Sequence, residues 1–167
     1  MPSKQSISTT DLPGRTSAHT VAIIAREVIA DKTIALYLER PAGFSFAAGQ
    51  NIDVTVIDPP EPDPEGGSRT FSIASAPSED HLLIAVRLRD NPYKQALATQ
   101  PIGSPVQIDG PYGSFVLHED SSIPVVFIAG GIGIAPILSI LREAAENGCD
   151  HDLTLFYANR RIEDAAY

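Results

Sequence analysis

Arg69-Thr70-Phe71-Ser72-Ile73-Ala74-Ser75 reads as a single strand, and the rest of the chain is organised around it. Side chains of a strand alternate between faces, so Arg69, Phe71, Ile73 and Ser75 share one side and Thr70, Ser72 and Ala74 the other. Pro77 ends the run, because a proline cannot donate to a ladder. A strand of this make can hold a phosphate with Arg69, lay Phe71 against a flat ring and offer the Ser72 hydroxyl to a ring heteroatom. The same alternation also fits a plain barrel strand whose arginine faces water, so the flanking sequence has to decide between the two.

Upstream, residues 20–29 and 33–40 are two strands around a turn at Asp31-Lys32 and read as antiparallel neighbours. A third strand, 51–57, sets Ile52, Val54 and Val56 against Asp53 and Thr55. Between it and the central strand lies residues 58–67, where four prolines and four acids favour neither strand nor helix, so an exposed loop is expected. Downstream, 82–88 and 106–109 complete a set of six strands. Asn91, Pro92 and the run 93–99 predict a short helix with Asn91 as N-cap and Pro92 in its first position, leaving free amides to face an anion. Six short strands with regular turns point to a small closed antiparallel barrel, a spacing shared with sandwiches.

Past Leu117 the pattern changes. Residues 125–129 form an apolar strand, 134–147 have helical periodicity closed by Gly148, and 153–158 form another apolar strand: a βαβ unit, the opening of a parallel nucleotide-binding sheet. Between the first strand and the helix stands Gly130-Gly131-Ile132-Gly133-Ile134-Ala135-Pro136. Backbone amides and the helix dipole at such a turn suit a pyrophosphate, and Pro136 gives up only an amide that lacks an intrahelical partner. Taken alone, the cluster equally fits a structural turn. Residues 123–141 carry no charge, but Pro124, the glycines and Pro136 break them into strand, turn and helix, so no membrane span is expected.

Composition narrows the classes. With 43% hydrophobic and 20% charged residues among 167, the chain reads as globular rather than disordered. Twenty-one acids against twelve bases, net −9, argue against nucleic acid or an anionic membrane as partner. Any phosphate ligand then depends on local cations and backbone amides. The lone Cys149 excludes an internal disulfide and suits a reducing, cytoplasmic setting. His19, His81, His118 and His151 stand singly in sequence, so no metal site is expected. Residues 1–17, polar and without an apolar segment, read as a mobile tail, followed by a barrel domain at 18–118 and an α/β part at 122–167.

Three motifs in this order, Arg69-Thr70-Phe71-Ser72, Gly110-Pro111-Tyr112-Gly113-Ser114-Phe115 and the 130–136 turn, resemble those of the ferredoxin-NADP reductase superfamily. The resemblance covers about residues 18–167 and implies a Greek-key six-stranded flavin barrel with a short capping helix, then a pyridine-nucleotide domain. It implies that Arg69 meets the flavin phosphates, that Phe71 packs on the ring system, and that Ser72 bonds near the hydride-accepting nitrogen. Thr70, and Val86, Arg87 and Leu88 through their backbone, would line the flavin; Tyr93 and Lys94 would meet the pyrophosphate; Gly130, Gly131 and Gly133 would hold the nucleotide. Phe71 stands where tyrosine is commoner, which implies weaker flavin binding by about one neutral hydrogen bond, ~0.5–1.5 kcal/mol. Arg160 and Arg161 stand where the adenosine ribose would lie, fitting either a 2′-phosphate or a solvated strand end.

A complete member of that family carries about another hundred residues of parallel sheet, so the nucleotide domain reads as truncated. The implied activity is electron transfer from NAD(P)H through FAD, or FMN, to an acceptor protein, an iron-sulfur centre or haem. The other reading is a flavin-binding module without reductase activity of its own, completed by further polypeptide.

Overall fold

A computed structural model describes residues 18–167; the segment read as a mobile tail, 1–17, lies outside the described residues. Strands β1 (His19–Ala30), β2 (Thr33–Glu39), β3 (Asn51–Val56), β4 (Ser68–Ser72), β5 (His81–Arg87) and β6 (Pro105–Tyr112) form one antiparallel sheet in the order β4-β3-β6-β1-β2-β5. Helix α1 (Pro92–Thr99) lies between β5 and β6 in sequence. In β3 the alternation works as read, with Ile52, Val54 and Val56 buried and Asn51, Asp53 and Thr55 only partly so. These three join Ile23, Leu36, Ile84 and Ile108 in a single core, and α1 adds Tyr93 and Leu97 to it. Full burial of one such aliphatic side chain contributes about 1.5–3 kcal/mol, so this cluster dominates the stability of the sheet.

The expected closed barrel needs a correction. The two edge strands, β4 and β5, meet at one isolated bridge, Ile73↔Ile84, and at the Ala74 N–H to Leu83 carbonyl bond of 2.7 Å. The sheet is therefore rolled until its edges touch, without a continuous ladder across the seam. The physical reason lies in Ser75. Its Oγ accepts the Leu83 N–H at 3.1 Å, so a side chain takes the place of a ladder carbonyl and β4 ends at Ser72 rather than at 75.

β5 is buried from Leu82 through Val86 without alternation, because both of its faces are covered. Leu82, Ile84 and Val86 face the barrel core, whereas Leu83 and Ala85 join Ala35, Ala74 and Ala135 in a second cluster. Ala135 opens helix α2 (Ala135–Asn147), which follows β7 (Val125–Gly130) and a 3-10 turn at Gly131–Ile134. β8 (Leu153–Ala158) pairs with β7 in parallel, completing the expected βαβ unit. Helix α2 is fastened to the barrel by polar contacts as well. Ser139 Oγ donates to the Ser75 carbonyl at 2.6 Å inside the protein, and Arg142 pairs with Glu79 at 3.0 Å. The connection from β6 to β7 crosses close to Gly49, whose φ is +97° and whose absent Cβ would lie 2.0 Å from the Phe115 carbonyl oxygen.

Candidate functional site

Where β4, β5, α1 and the glycine turn converge, a cavity of about 460 Å³ opens. β4 supplies Thr70, Phe71 and Ser72, β5 supplies Ala85 and Arg87, and Ile132, Gly133, Ala135 and Pro136 close the far side. Arg89 and Lys94 complete the wall. Alternation explains the β5 contribution: Ala85, Arg87 and Arg89 follow one another at every second position. Val86 and Leu88 turn their side chains into the barrel core, which leaves only their backbone for the cavity side. Ala85 and Arg89 were missed by sequence reasoning. The period-two step from Arg87 would have found both.

The electrostatics of this wall stand out against a chain of net charge −9. Among the described residues, Arg87, Arg89 and Lys94 form no ion pair with an acidic side chain. The Arg87 Nε is buried without an acceptor. Desolvation lowers the pKa of the Lys94 ammonium, and the neighbouring Arg89 and Arg69 cations lower it further. Three cations without an ion-paired acid, of which only Arg87 acts on a nearby carboxylate, Asp164, make a donor set for an anion such as a phosphate.

Arg69 is placed differently from expectation. Its guanidinium donates to Asp63 Oδ1 at 3.0 Å, Glu65 Oε2 at 3.1 Å and the carbonyls of Gly66 and Ser68 at 2.7 and 2.8 Å. It also lies 5.1 Å from the centre of the Tyr93 ring. The cation expected to hold a phosphate is thus held by the acidic loop that precedes it. Helix α1 starts as read, with Asn91 Oδ1 accepting the Lys94 N–H at 2.9 Å and Pro92 in the first turn. Its amides, however, are taken. The Tyr93 N–H donates to Asp63 Oδ2 at 3.1 Å and the Gln95 N–H to the Asn91 carbonyl at 3.1 Å.

Tyr93 brings its backbone N–H to the start of the helix, while its ring turns inward. It is 1% exposed and its hydroxyl donates to the Val54 carbonyl at 2.7 Å, so it is a core residue whose phenol is pushed to higher pKa by burial. Phe71 stacks on this ring, with centroids 6.3 Å apart and planes at 19°, while also lining the cavity. The Thr70 hydroxyl is engaged by Asp53 Oδ1. Ser72 reaches the cavity alongside them.

A second cavity, also about 460 Å³, lies on the other side of Arg87, between it and Gly130, Gly131, Ala158, Asn159, Arg160 and Asp164. Gly131 has φ +51°, and the Arg87 Nη2 stands 3.7 Å from where its Cβ would be. No side chain caps the 3-10 turn or α2. Of the two arginines after β8, Arg161 pairs with Asp164 at 3.0 Å and Asp31 at 3.1 Å, whereas Arg160 is 86% exposed with Asp164 3.8 Å away. Elsewhere, His118 and His151 pack edge to face at 4.9 Å, and Cys149 Sγ lies 3.3 Å from His151 Nδ1, a proximity that sequence spacing did not show. No group of three or more His, Cys, Asp or Glu that could hold a metal occurs among the described residues, and no helix there is long and apolar enough to cross a membrane.

Residues 127–167 match the family model described as oxidoreductase NAD-binding domain. Over 130 residues the chain is 33% identical to the reductase component of propane 2-monooxygenase from Rhodococcus jostii (strain RHA1), an alignment covering 76% of this chain and 34% of that protein. Among solved structures, phthalate dioxygenase reductase superposes with a TM-score of 0.75 at 28% identity, covering 89% of this chain and 46% of that one. The ferredoxin NADP+ reductase of Neisseria gonorrhoeae, solved with bound FAD and NADP, superposes with a TM-score of 0.74 at 24% identity over 88% of this chain and 59% of that one. The chain spans less than half the length of the first two. Sheet order, the glycine turn after β7 and these likenesses agree on one conclusion: the chain belongs to the ferredoxin-NADP reductase superfamily.

Proposed function

We propose that the chain is the flavin-binding portion, with the start of the nucleotide-binding portion, of an NAD(P)H-dependent oxidoreductase that passes electrons to an acceptor protein or redox centre. One observation carries this reading: two cavities of similar size share Arg87 as a common wall, one beside the Thr70-Phe71-Ser72 strand and the other beside the glycine turn. A hydride donor and acceptor must lie side by side, and adjoining cavities provide that arrangement. The residues present fit a phosphorylated flavin, FAD or FMN, because the first cavity combines the Phe71 ring with three cations that form no ion pair with an acid. Bound there, a flavin would link two-electron donation by NAD(P)H to one-electron delivery.

The roles of the chain's own residues follow from chemistry. Phe71 offers a flat apolar surface, and Lys94, Arg89 and Arg87 neutralise phosphate charge. The Ser72 hydroxyl donates toward negative charge that develops during transfer, the catalytic role. Gly130, Gly131 and Gly133 let a nucleotide approach the backbone, and Arg160, exposed and loosely held, is the cation for an adenosine-side phosphate. The acceptor is a redox partner of the kind served by the reductase component that the chain resembles. The exposed, free Cys149 suits the reducing cytoplasm.

A second reading is supported by the β7–β8 sheet, on which Val126, Ile128 and Phe156 lie exposed. With only two strands, the second cavity offers part of a nucleotide site, so the chain alone acts as a flavin module. Anaerobic addition of NADH or NADPH to the flavin-loaded chain separates the two. Bleaching of the flavin absorbance supports the reductase, yellow colour without bleaching supports the module, and failure to take up flavin contradicts both.

A further inference from the structure

The loop 58–67 carries Asp58, Glu61, Asp63 and Glu65 among four prolines, and through Asp63 it folds back onto Arg69 in β4 and the first turn of α1. Only one of these acids turns inward. The Asp63 side chain is 4% exposed, with Oδ1 accepting from the Glu65 N–H at 2.8 Å and from Arg69 Nη2 at 3.0 Å. Its Oδ2 accepts the Tyr93 N–H at 3.1 Å. A guanidinium and a first-turn helix amide are the donors that recognise a phosphate oxygen, and here one carboxylate engages both. Beside them, Lys94 is surrounded by the cations Arg89 and Arg69 and has no acid of its own. The anion subsite is thus split: half is satisfied internally by Asp63, and half faces the cavity without a counter-charge.

Resting on the flavin reading above, we propose that Asp63 is a built-in stand-in for a phosphate, and that the loop 58–67 is a strap the flavin phosphate must displace to reach Arg69 and the amide of Tyr93. Displacement exchanges one anion for another on the same donors. Arg69 keeps its contact to the Ser68 carbonyl, which belongs to β4, is neutral and leaves the guanidinium charge for the incoming phosphate. The strap therefore lowers affinity for phosphorylated flavin without touching the ring site, and it keeps the partly buried Arg69 cation paired when no ligand is bound.

The test compares FMN and riboflavin, which share a ring system and differ in the phosphate, by fluorescence titration of the wild-type chain and Asp63→Asn. The strap predicts that D63N binds FMN about tenfold more tightly or better, with riboflavin affinity unchanged. FMN affinity that is unchanged or weaker in D63N overturns it and makes Asp63 a scaffold for Arg69. A second measurement uses the unaltered chain, so it stands even if D63N misfolds. Cleavage after Glu65 by a glutamyl endopeptidase should speed up several-fold when FMN is added but not riboflavin, and a loop that stays equally or better protected contradicts displacement. If neither protein binds any flavin, the functional reading falls, an outcome distinct from flavin binding that is indifferent to Asp63.

Discussion

At the scale of single residues, two side chains carry the chemistry in separable ways. Lys94, its pKa lowered by desolvation and by Arg89 and Arg69, has its charge relieved by a phosphate. A charge-assisted hydrogen bond contributes about 1.5–3 kcal/mol, so Lys94→Met should weaken FMN binding by roughly 10- to 100-fold and leave riboflavin nearly unaffected, as read by fluorescence titration. Ser72→Ala should slow flavin reduction about tenfold or more in stopped-flow measurements while flavin affinity stays nearly intact; an unchanged rate removes Ser72 from the mechanism. Some of this scale was legible beforehand. Asn91 and Pro92 announce a helix start through chemistry confined to four residues, and they form one. The placement of Arg69 was not legible, because its partner Asp63 sits in an aperiodic loop whose folding back is a tertiary event. The inward turn of the Tyr93 ring was not legible for a similar reason: it enters the core through contact with Val54, 39 positions away.

Elements were easier to read than their junctions. Alternation at 51–57 and the apolar runs at 125–129 and 153–158 each extend over a whole strand, so their positions survived into the structure, although β7 and β8 leave one face exposed at Val126, Ile128 and Phe156. The seam between β4 and β5 did not, since Ser75 ends the ladder with a side-chain bond that no periodicity encodes. The packing of α2 on the barrel tests this scale. Ser139→Ala leaves the buried Ser75 carbonyl without its donor and should cost about 1–3 kcal/mol, measured as a lower urea midpoint at unchanged m-value. A wild-type midpoint in that variant would mean the bond does not hold the two parts together. Gly49→Ala should be at least as damaging, because the new Cβ would meet the Phe115 carbonyl at 2.0 Å on a backbone with φ +97°.

On the scale of the whole molecule, charge links stability to pH. Backbone donation from Glu65 and Tyr93, together with Arg69, holds the Asp63 carboxyl below its ordinary value, and Arg161 does the same for Asp164. A carboxyl with a lowered folded value binds fewer protons folded than unfolded. Its stabilisation is therefore fully present above the ordinary carboxyl range and is lost as pH falls through the lowered value. The urea midpoint should drop between roughly pH 5.5 and pH 3, and the drop should shrink in Asp164→Asn; equal drops in both would remove Asp164 as a source. Strands, helix and glycine turn must also act together to bring Phe71 and three cations to one cavity. That convergence is measured by the ratio of FMN to riboflavin affinity for the wild-type chain. We predict that FMN binds about tenfold tighter or more, with the preference shrinking as salt is raised; equal affinities, or no binding of either, would contradict the account.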